Sequence, residues 1–285
     1  RATVTLAERR ISMKKTMALE FGKTESIDAN TRVTLRPAGH VLGSAMIHVE
    51  RDDETFLYTG DYKLRESLTA ETAQPVRADV LLCESTFGLP QFKFPAWRDT
   101  AARLVELVTE ALRAGRQPIV MGYALGKAQE IVKILTDAGL PVTEHGAVRN
   151  MSDIYERFDV SLGARRAYDA DDFHGKKQLS LEERGVIVAP PQVARAAFTA
   201  KFENPLRIMM SGWGMLKGAQ FRYGVDHVLP MSDHADFDEL LRLIEVVSPK
   251  IVYTTHGYRE CVDHLRKRGI NAKPAEPDKQ MLLFD

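Results

Sequence analysis

The sequence predicts an α/β fold, and three observations predict it. Short apolar runs closed by Gly or Pro read as buried strands: Val33-Thr34-Leu35, Phe56-Leu57-Tyr58, Val80-Leu81-Leu82-Cys83, Ile119-Val120-Met121, Val186-Ile187-Val188-Ala189, Arg207-Ile208-Met209-Met210 and Ile251-Val252-Tyr253. Longer stretches between them place apolar residues at helical spacing. Through residues 97–139 the two kinds alternate, which is the rhythm of a parallel α/β unit.

Residues 1–29 carry little usable pattern. Ser44 to Val49 alternates, meets Asp52-Asp53 and is followed by Thr55 to Tyr58, which predicts a hairpin. From Trp97 to Ala114 the residues Leu104, Val105, Leu107, Val108 and Leu112 mark one helix face, with Gly115 placed to end it. A second helix runs from Lys127 to Ala138 and closes at Gly139. Residues 160–185 are polar and read as a mobile surface segment. After His234, Asp236 and Glu239 form a capping-box pair, Leu240, Leu241, Leu243 and Ile244 supply an apolar face, and Ser248-Pro249 stops the helix. A last helix follows His256, runs to Arg268 and ends at Gly269.

At 285 residues the chain can bury about three quarters of its unfolded surface, and its length predicts two domains. Hydrophobic content of 44% and charged content of 27% are those of a soluble globular protein. With 39 basic and 39 acidic residues, any nucleic-acid surface has to be a local basic stripe. Cys83 and Cys261 are far apart, without a Cys-x-x-Cys motif, so a reducing cytoplasm is expected, with Cys83 a small core residue. No run approaches the roughly 20 apolar residues that span a bilayer, so no membrane partner is expected. The chain starts at Arg1 without an initiator Met or a signal segment, and residues upstream are expected.

Five polar residues stand just past apolar runs: His40, Asp61, Glu84, His234 and His256. Imidazoles and carboxylates at strand ends can converge on one rim of a sheet, which is how a metal or acid–base site is built without burying charge in the core. Other motifs are weaker. Gly122 to Ala128 falls short of a P-loop, because the first glycine is one position late and Ala128 replaces the magnesium-binding hydroxyl. Gly-Lys opening a helix still offers backbone N–H groups and an ammonium to a phosphate, although an exposed lysine at a helix start reads equally well. Gly212-Trp213-Gly214 misses a dinucleotide fingerprint because Lys217 holds the third glycine position. His48, His145, His174, His227 and His264 read as surface or packing histidines.

Pro37-Ala38-Gly39-His40-Val41-Leu42-Gly43-Ser44-Ala45, Thr59-Gly60-Asp61-Tyr62-Lys63, Glu84-Ser85-Thr86-Phe87-Gly88, Ser232-Asp233-His234-Ala235-Asp236 and Thr255-His256-Gly257-Tyr258 resemble the metallo-β-lactamase-fold nucleases of the β-CASP group. Within it, Tyr123 to Gln129, Glu84 to Pro90 and His145 to Val148 are most similar to bacterial ligase-associated DNA exonucleases. The resemblance runs over almost the whole chain in order. It implies an αββα metallo-β-lactamase sandwich, N-terminally incomplete, formed by residues 1–92 and 225–285, with an α/β β-CASP cap inserted over residues 93–224.

The resemblance also implies a two-zinc site (or manganese). In it His40 ligates the first ion, Asp61 bridges both and His256 ligates the second. Zinc takes imidazole nitrogen and carboxylate oxygen at about 2.0–2.2 Å, and two ions roughly 3.5–4 Å apart activate water and clamp an in-line phosphodiester displacement. Glu84 and His234 match the acid motifs: His234 protonates the departing 3′ oxygen, and Glu84 orients it and keeps it cationic. Lys127 and Ser211 are candidate contacts to the substrate backbone. The family's His-x-His-x-Asp-His motif is absent, and residues 1–39 contain no histidine. Each ion thus keeps two protein ligands where three or four are usual, so this chain is expected to bind catalytic zinc poorly and to be inactive by itself. Supply of the motif from an upstream segment is the expectation, with natural loss as the alternative.

The function implied is a DNA exonuclease in repair, acting on DNA in the cytoplasm beside a DNA ligase and a helicase. The alternative is an RNA 3′-end-processing ribonuclease, because a histidine at the His256 position is commoner among RNA-cleaving members. A non-catalytic nucleic-acid-binding scaffold is the third reading. It predicts salt-sensitive binding without cleavage.

Overall fold

The computed structural model describes every residue except 10, 13–15, 174–177, 196–197, 203 and 276–285. The helices are α1 (Ala2–Glu8), α2 (Trp97–Arg113), α3 (Lys127–Asp137), α4 (Gly146–Arg157), α5 (Leu181–Arg184), α6 (Ala219–Tyr223), α7 (Phe237–Val247) and α8 (Glu260–Arg266). The strands are β1 (Thr24–Ser26), β2 (Thr31–Pro37), β3 (Ala45–Arg51), β4 (Glu54–Tyr58), β5 (Val80–Glu84), β6 (Pro118–Met121), β7 (Val142–Glu144), β8 (Arg165–Ala167), β9 (Val186–Ala189), β10 (Leu206–Met210), β11 (His227–Leu229), β12 (Ile251–Thr255) and β13 (Ala272–Pro274).

The chain divides into two compact units, residues 1–93 with 233–285 and residues 94–232. The second crossing falls at Ser232/Asp233 and not at 224/225, because β11 pairs in parallel with β10 and so belongs to the inserted unit.

The first unit holds a seven-stranded sheet in the order β1-β2-β3-β4-β5-β12-β13. Strands β1 to β4 pair antiparallel, and β3 and β4 form the expected hairpin, turning at Asp52 with φ 50°. From β4 onward the pairing is parallel, with Thr255 opposite Glu84 in register. Period-2 alternation sends His48, Leu57, Leu81 and Val252 to one face. There Leu240, Leu243 and Val247 of α7 and Val262 and Leu265 of α8 close a core with Met46, Leu57, Leu81, Cys83 and Val252. Burying each such side chain contributes roughly 1.5–3 kcal/mol. The opposite face is apolar as well. Val33, Val49, Phe56, Val80 and Ile251 form one row and Leu35, Ile47, Tyr58, Leu82 and Tyr253 the next. Ile47 is exposed and the others are only half-buried.

The inserted unit is a six-stranded parallel sheet in the order β11-β10-β6-β9-β7-β8. Its inner strands, such as Ile119-Val120-Met121 and Val186 to Ala189, are buried throughout, as a parallel sheet covered on both faces requires. Helix α3 follows its expected bounds to within one residue, and α2 runs as read. One expectation changes. Residues 160–185 are not merely a surface segment, since β8 pairs with β7 and Leu162 and Phe173 are buried. Residues 1–29 hold α1, which buries Ala2 and Leu6, and the short edge strand β1. His48 is a buried packing residue and His145 caps α4, accepting from the Ala147 amide, while His174 lies outside the described residues.

Candidate functional site

His40 is delivered by a turn that closes β2. Gly39 has φ +78°, and a Cβ there would sit 2.2 Å from the Lys63 carbonyl oxygen, so only glycine fits. The Ser44 hydroxyl then accepts from the His40 amide (3.1 Å) and the Val41 amide (3.2 Å), fixing the turn. At the end of β4, the Thr59 amide extends the ladder to the Leu82 carbonyl (3.0 Å), and Gly60 at φ 56° turns the chain outward. Asp61 is therefore exposed, while Tyr62 beside it is buried completely and anchors the loop. Glu84 ends β5 and is 2% exposed. His234 lies in the turn before α7, whose capping box is made by Asp236 and Glu239 as expected.

These four residues come together. Nδ1 of His234 donates to Glu84 Oε1 (2.9 Å), and the other Glu84 oxygen accepts from the Thr86 amide (2.9 Å). Nδ1 of His40 lies 3.0 Å from the Asp233 carbonyl oxygen. A carbonyl can only accept, so this bond puts the His40 proton on Nδ1 and leaves Nε2 as a lone pair, 3.8 Å from Asp61 Oδ2. The two imidazoles lie with centroids 4.7 Å apart. Burial pushes His40 below the ordinary histidine range, and the neighbouring His234 pushes it further. Burial also opposes the charge on His234, but Glu84, by charge and hydrogen bond, with Asp61 and Asp233, raises it above that range. At Glu84 burial is the strongest influence and opposes the charge, yet His234 and the Thr86 bonds together hold its carboxyl below the ordinary glutamate value. The surroundings thus favour the neutral form of His40 and the charged form of His234. Two close groups driven apart in this way are assigned to base or ligand and to acid.

Donor atoms of His40, Asp61 and His234 all lie within 4.8 Å of one another. A neutral imidazole nitrogen beside an exposed carboxylate is a donor set that suits zinc, and each histidine has its second nitrogen held by an oxygen, as metal-site histidines do. His256 does not join this group. Gly257 packs so close to Ser85 that a Cβ would lie 2.1 Å from its carbonyl oxygen, and the chain reverses there with His256 at φ 52°. The His256 ring stays exposed, its Nδ1 3.3 Å from the hydroxyl of the adjacent Thr255. The expectation of one rim bearing all five residues also changes, because β11, which leads toward His234, belongs to the other sheet. Ser44 and Asp233 were missed: a hydroxyl capping a turn and a backbone carbonyl have no spacing that marks them.

Lys127 and Ser211 lie in the inserted unit. Lys127, the first residue of α3, is 3% exposed and its Nζ donates to the Met231 carbonyl (3.0 Å). The buried Ser211 hydroxyl accepts from the Trp213 amide and shares a hydrogen bond with Tyr223 (3.0 Å).

Residues 218–276 match the family model described as "Zn-dependent metallo-hydrolase RNA specificity domain". The chain is 35% identical over 284 residues to a "Probable DNA ligase" of Opitutus terrae, covering 99% of this chain and 27% of that protein. It is 31% identical over 293 residues to an "RNase J-like protein" of Methanocaldococcus jannaschii, covering 87% of this chain and 69% of that one. The chain belongs to the metallo-β-lactamase-fold β-CASP nuclease family. A crystal structure of a protein of unknown function from Enterococcus faecalis V583 shares the β-CASP nuclease chain's fold, with a TM-score of 0.57 at 14% identity over 86% of this chain and 63% of that one. The chain spans only about a quarter of the ligase-named relative. The family is one of metal-dependent hydrolases, the sandwich with a cap domain is its fold, and its relatives act on nucleic acid. Among the described residues no helix is long and apolar enough to cross a membrane.

Proposed function

We propose that this chain is the nuclease part of a DNA exonuclease that works in repair beside a ligase and a helicase, with the inserted unit as its β-CASP cap and the cytoplasm as its location. The carrying observation is the cluster of His40, Asp61 and His234 donor atoms within 4.8 Å of one another, with His234 hydrogen-bonded to the buried Glu84 and His40 to the Asp233 carbonyl. His40 Nε2 and the Asp61 carboxylate would supply two of the metal's ligands. Zinc, when bound, supplies Lewis acidity that acidifies water and offsets phosphate charge. His234 keeps its Nδ1 proton on Glu84 and offers its Nε2 proton to the departing oxygen. Glu84 keeps that ring charged and in one orientation. His40 holds its own Nδ1 proton on the Asp233 carbonyl, so it competes for no second proton. Lys127 and Ser211 are both buried, so in place of direct contact with the substrate backbone they would act through the segments they hold, Lys127 at the Met231 carbonyl after β11 and Ser211 in the turn after β10.

The identity to a ligase-named protein over 99% of this chain supports DNA. RNA is the second reading, favoured by the RNA specificity model over residues 218–276 and by the RNase J-like relative. The test offers end-labelled DNA and RNA of one sequence, with zinc or manganese, to the chain joined to an upstream segment bearing the His-x-His-x-Asp-His motif, in wild-type form and as Asp61→Asn and His234→Ala. Loss of zinc binding and cleavage in the first variant, and of cleavage alone in the second, is expected. Cleavage of RNA only overturns the DNA reading, and His234→Ala cleaving like the wild type overturns the acid assignment.

A further inference from the structure

Arg65 lies four residues beyond Asp61, which is one of the three candidate donors. Its fork closes on the turn that carries His234. Nη2 donates to the His234 carbonyl (2.8 Å) and lies 2.5 Å from Glu239 Oε2, while Nη1 lies 3.8 Å from Asp236 Oδ2. Glu239 reaches back: its Oε1 accepts from the Leu64 amide (2.8 Å) and the Arg65 amide (2.6 Å), and its Oε2 from the Asp236 amide (3.1 Å). The Ala235 amide completes the ring with a bond to the Tyr62 carbonyl (2.7 Å). The loop presenting Asp61 and the turn presenting His234 are therefore one hydrogen-bonded body, although their residues are far apart in sequence.

We propose that Arg65 is a positioning residue that sets the His234 imidazole against Glu84 and Asp61 by gripping the backbone of its turn; this rests on the reading of His234 as the acid. An ion pair that merely steadied α7 would need only the two carboxylates. The bond to the carbonyl of His234 itself has no part in capping that helix. It fixes the peptide from which the ring hangs. A lysine cannot reproduce the arrangement, because an ammonium is a point charge and lacks the two fork nitrogens that together reach a carbonyl and two carboxylates.

The test compares wild type, Arg65→Lys and Glu239→Gln as the full chain. Three quantities are read: the melting midpoint, the downfield proton resonance of the His234 Nδ1–H bonded to Glu84, and kcat and KM on end-labelled nucleic acid. Arg65→Lys is expected to stay folded, to lose or shift the Nδ1–H resonance and to lower kcat about 10–100-fold with KM unchanged, as partners that orient active-site histidines do. Glu239→Gln keeps an acceptor for the two amides but loses its charge on Arg65, and is expected to move the same two readouts less. A folded Arg65→Lys with wild-type resonance and kcat overturns the proposal. So does a resonance that disappears only with global unfolding. If Arg65→Lys does not fold, Glu239→Gln decides, and an unmoved resonance there overturns the proposal. Should the wild type itself cleave nothing, as expected of this chain without the first metal motif, the nuclease reading is judged by the cleavage test above and the resonance alone judges Arg65.

Discussion

Replacing Glu84 by Gln keeps the shape of the buried side chain and removes its charge. Two losses follow. The amide nitrogen now faces the Thr86 N–H, or else the His234 Nδ1–H, so one of the two bonds at 2.9 Å is lost at every pH. That costs about 1–3 kcal/mol, the price of a buried donor left unmade. The second loss depends on pH. His234 titrates above its ordinary value of 6.5, so its stabilising charge is fully present below 6.5 and fades as pH rises through the raised value. Glu84 titrates below its ordinary 4.5, so its contribution is fully present above 4.5 and fades as pH falls through the lowered value. The charge pair therefore acts in full between 4.5 and 6.5. In that window Glu84→Gln is expected to cost roughly 1–2 kcal/mol more than at about pH 9, discounted because the His234 ring is partly exposed. Amide exchange at Val252, whose N–H bonds the Asn271 carbonyl inside the same sheet, reports the opening free energy of this unit alone. A chelator keeps the imidazoles free of metal. An equal gap between wild type and variant at both pH values would refute the charged pair.

Gly39→Ala forces a side chain into a left-handed turn against the Lys63 carbonyl and should cost about 2 kcal/mol or more, read from the urea midpoint, with zinc affinity falling in parallel. In the inserted unit, Arg165 (side chain 3% exposed) pairs with Glu144 (0%) at 2.9 Å. Arg165→Met leaves that carboxylate to Arg149 (3.5 Å) and the Ser152 hydroxyl, and should cost about 1–3 kcal/mol, of which adding Glu144→Gln restores part. Asp79, held down to about 2 by Lys250 and by the Thr55 hydroxyl and amide, should show that midpoint in a carboxyl carbon titration. Lys250→Met should move the midpoint toward the ordinary 3.8, and no movement would reject the assignment.

Much of this fold was legible because single elements carry strong local signals. Asp236 and Glu239 announce the start of α7, and the glycines after β2 and β4 announce where the chain leaves the sheet. What was illegible has a common cause. The assignment of Val228-Leu229 to the inserted sheet depends on a partner strand, β10, that no local pattern names. His40 and His234 meet through the Asp233 carbonyl, and every residue has a carbonyl. His256 looked equivalent to His40, since both follow a strand and touch a glycine. In the fold His256 is exposed at a reversal where Gly257 packs on Ser85, a placement that no local pattern announces.

The seven-stranded sheet has oil on both sides. Helices α7 and α8 blanket one side, while the rows through Val49-Phe56-Val80 and Ile47-Tyr58-Leu82 stay half wetted. A molecule with 39 charges of each sign has no net repulsion to keep such stripes apart. Handled by itself it should clump as it is concentrated. Painting lysines over Tyr58 and Tyr253, which flank Leu82 in one row, should keep it dispersed and leave the imidazole pair untouched.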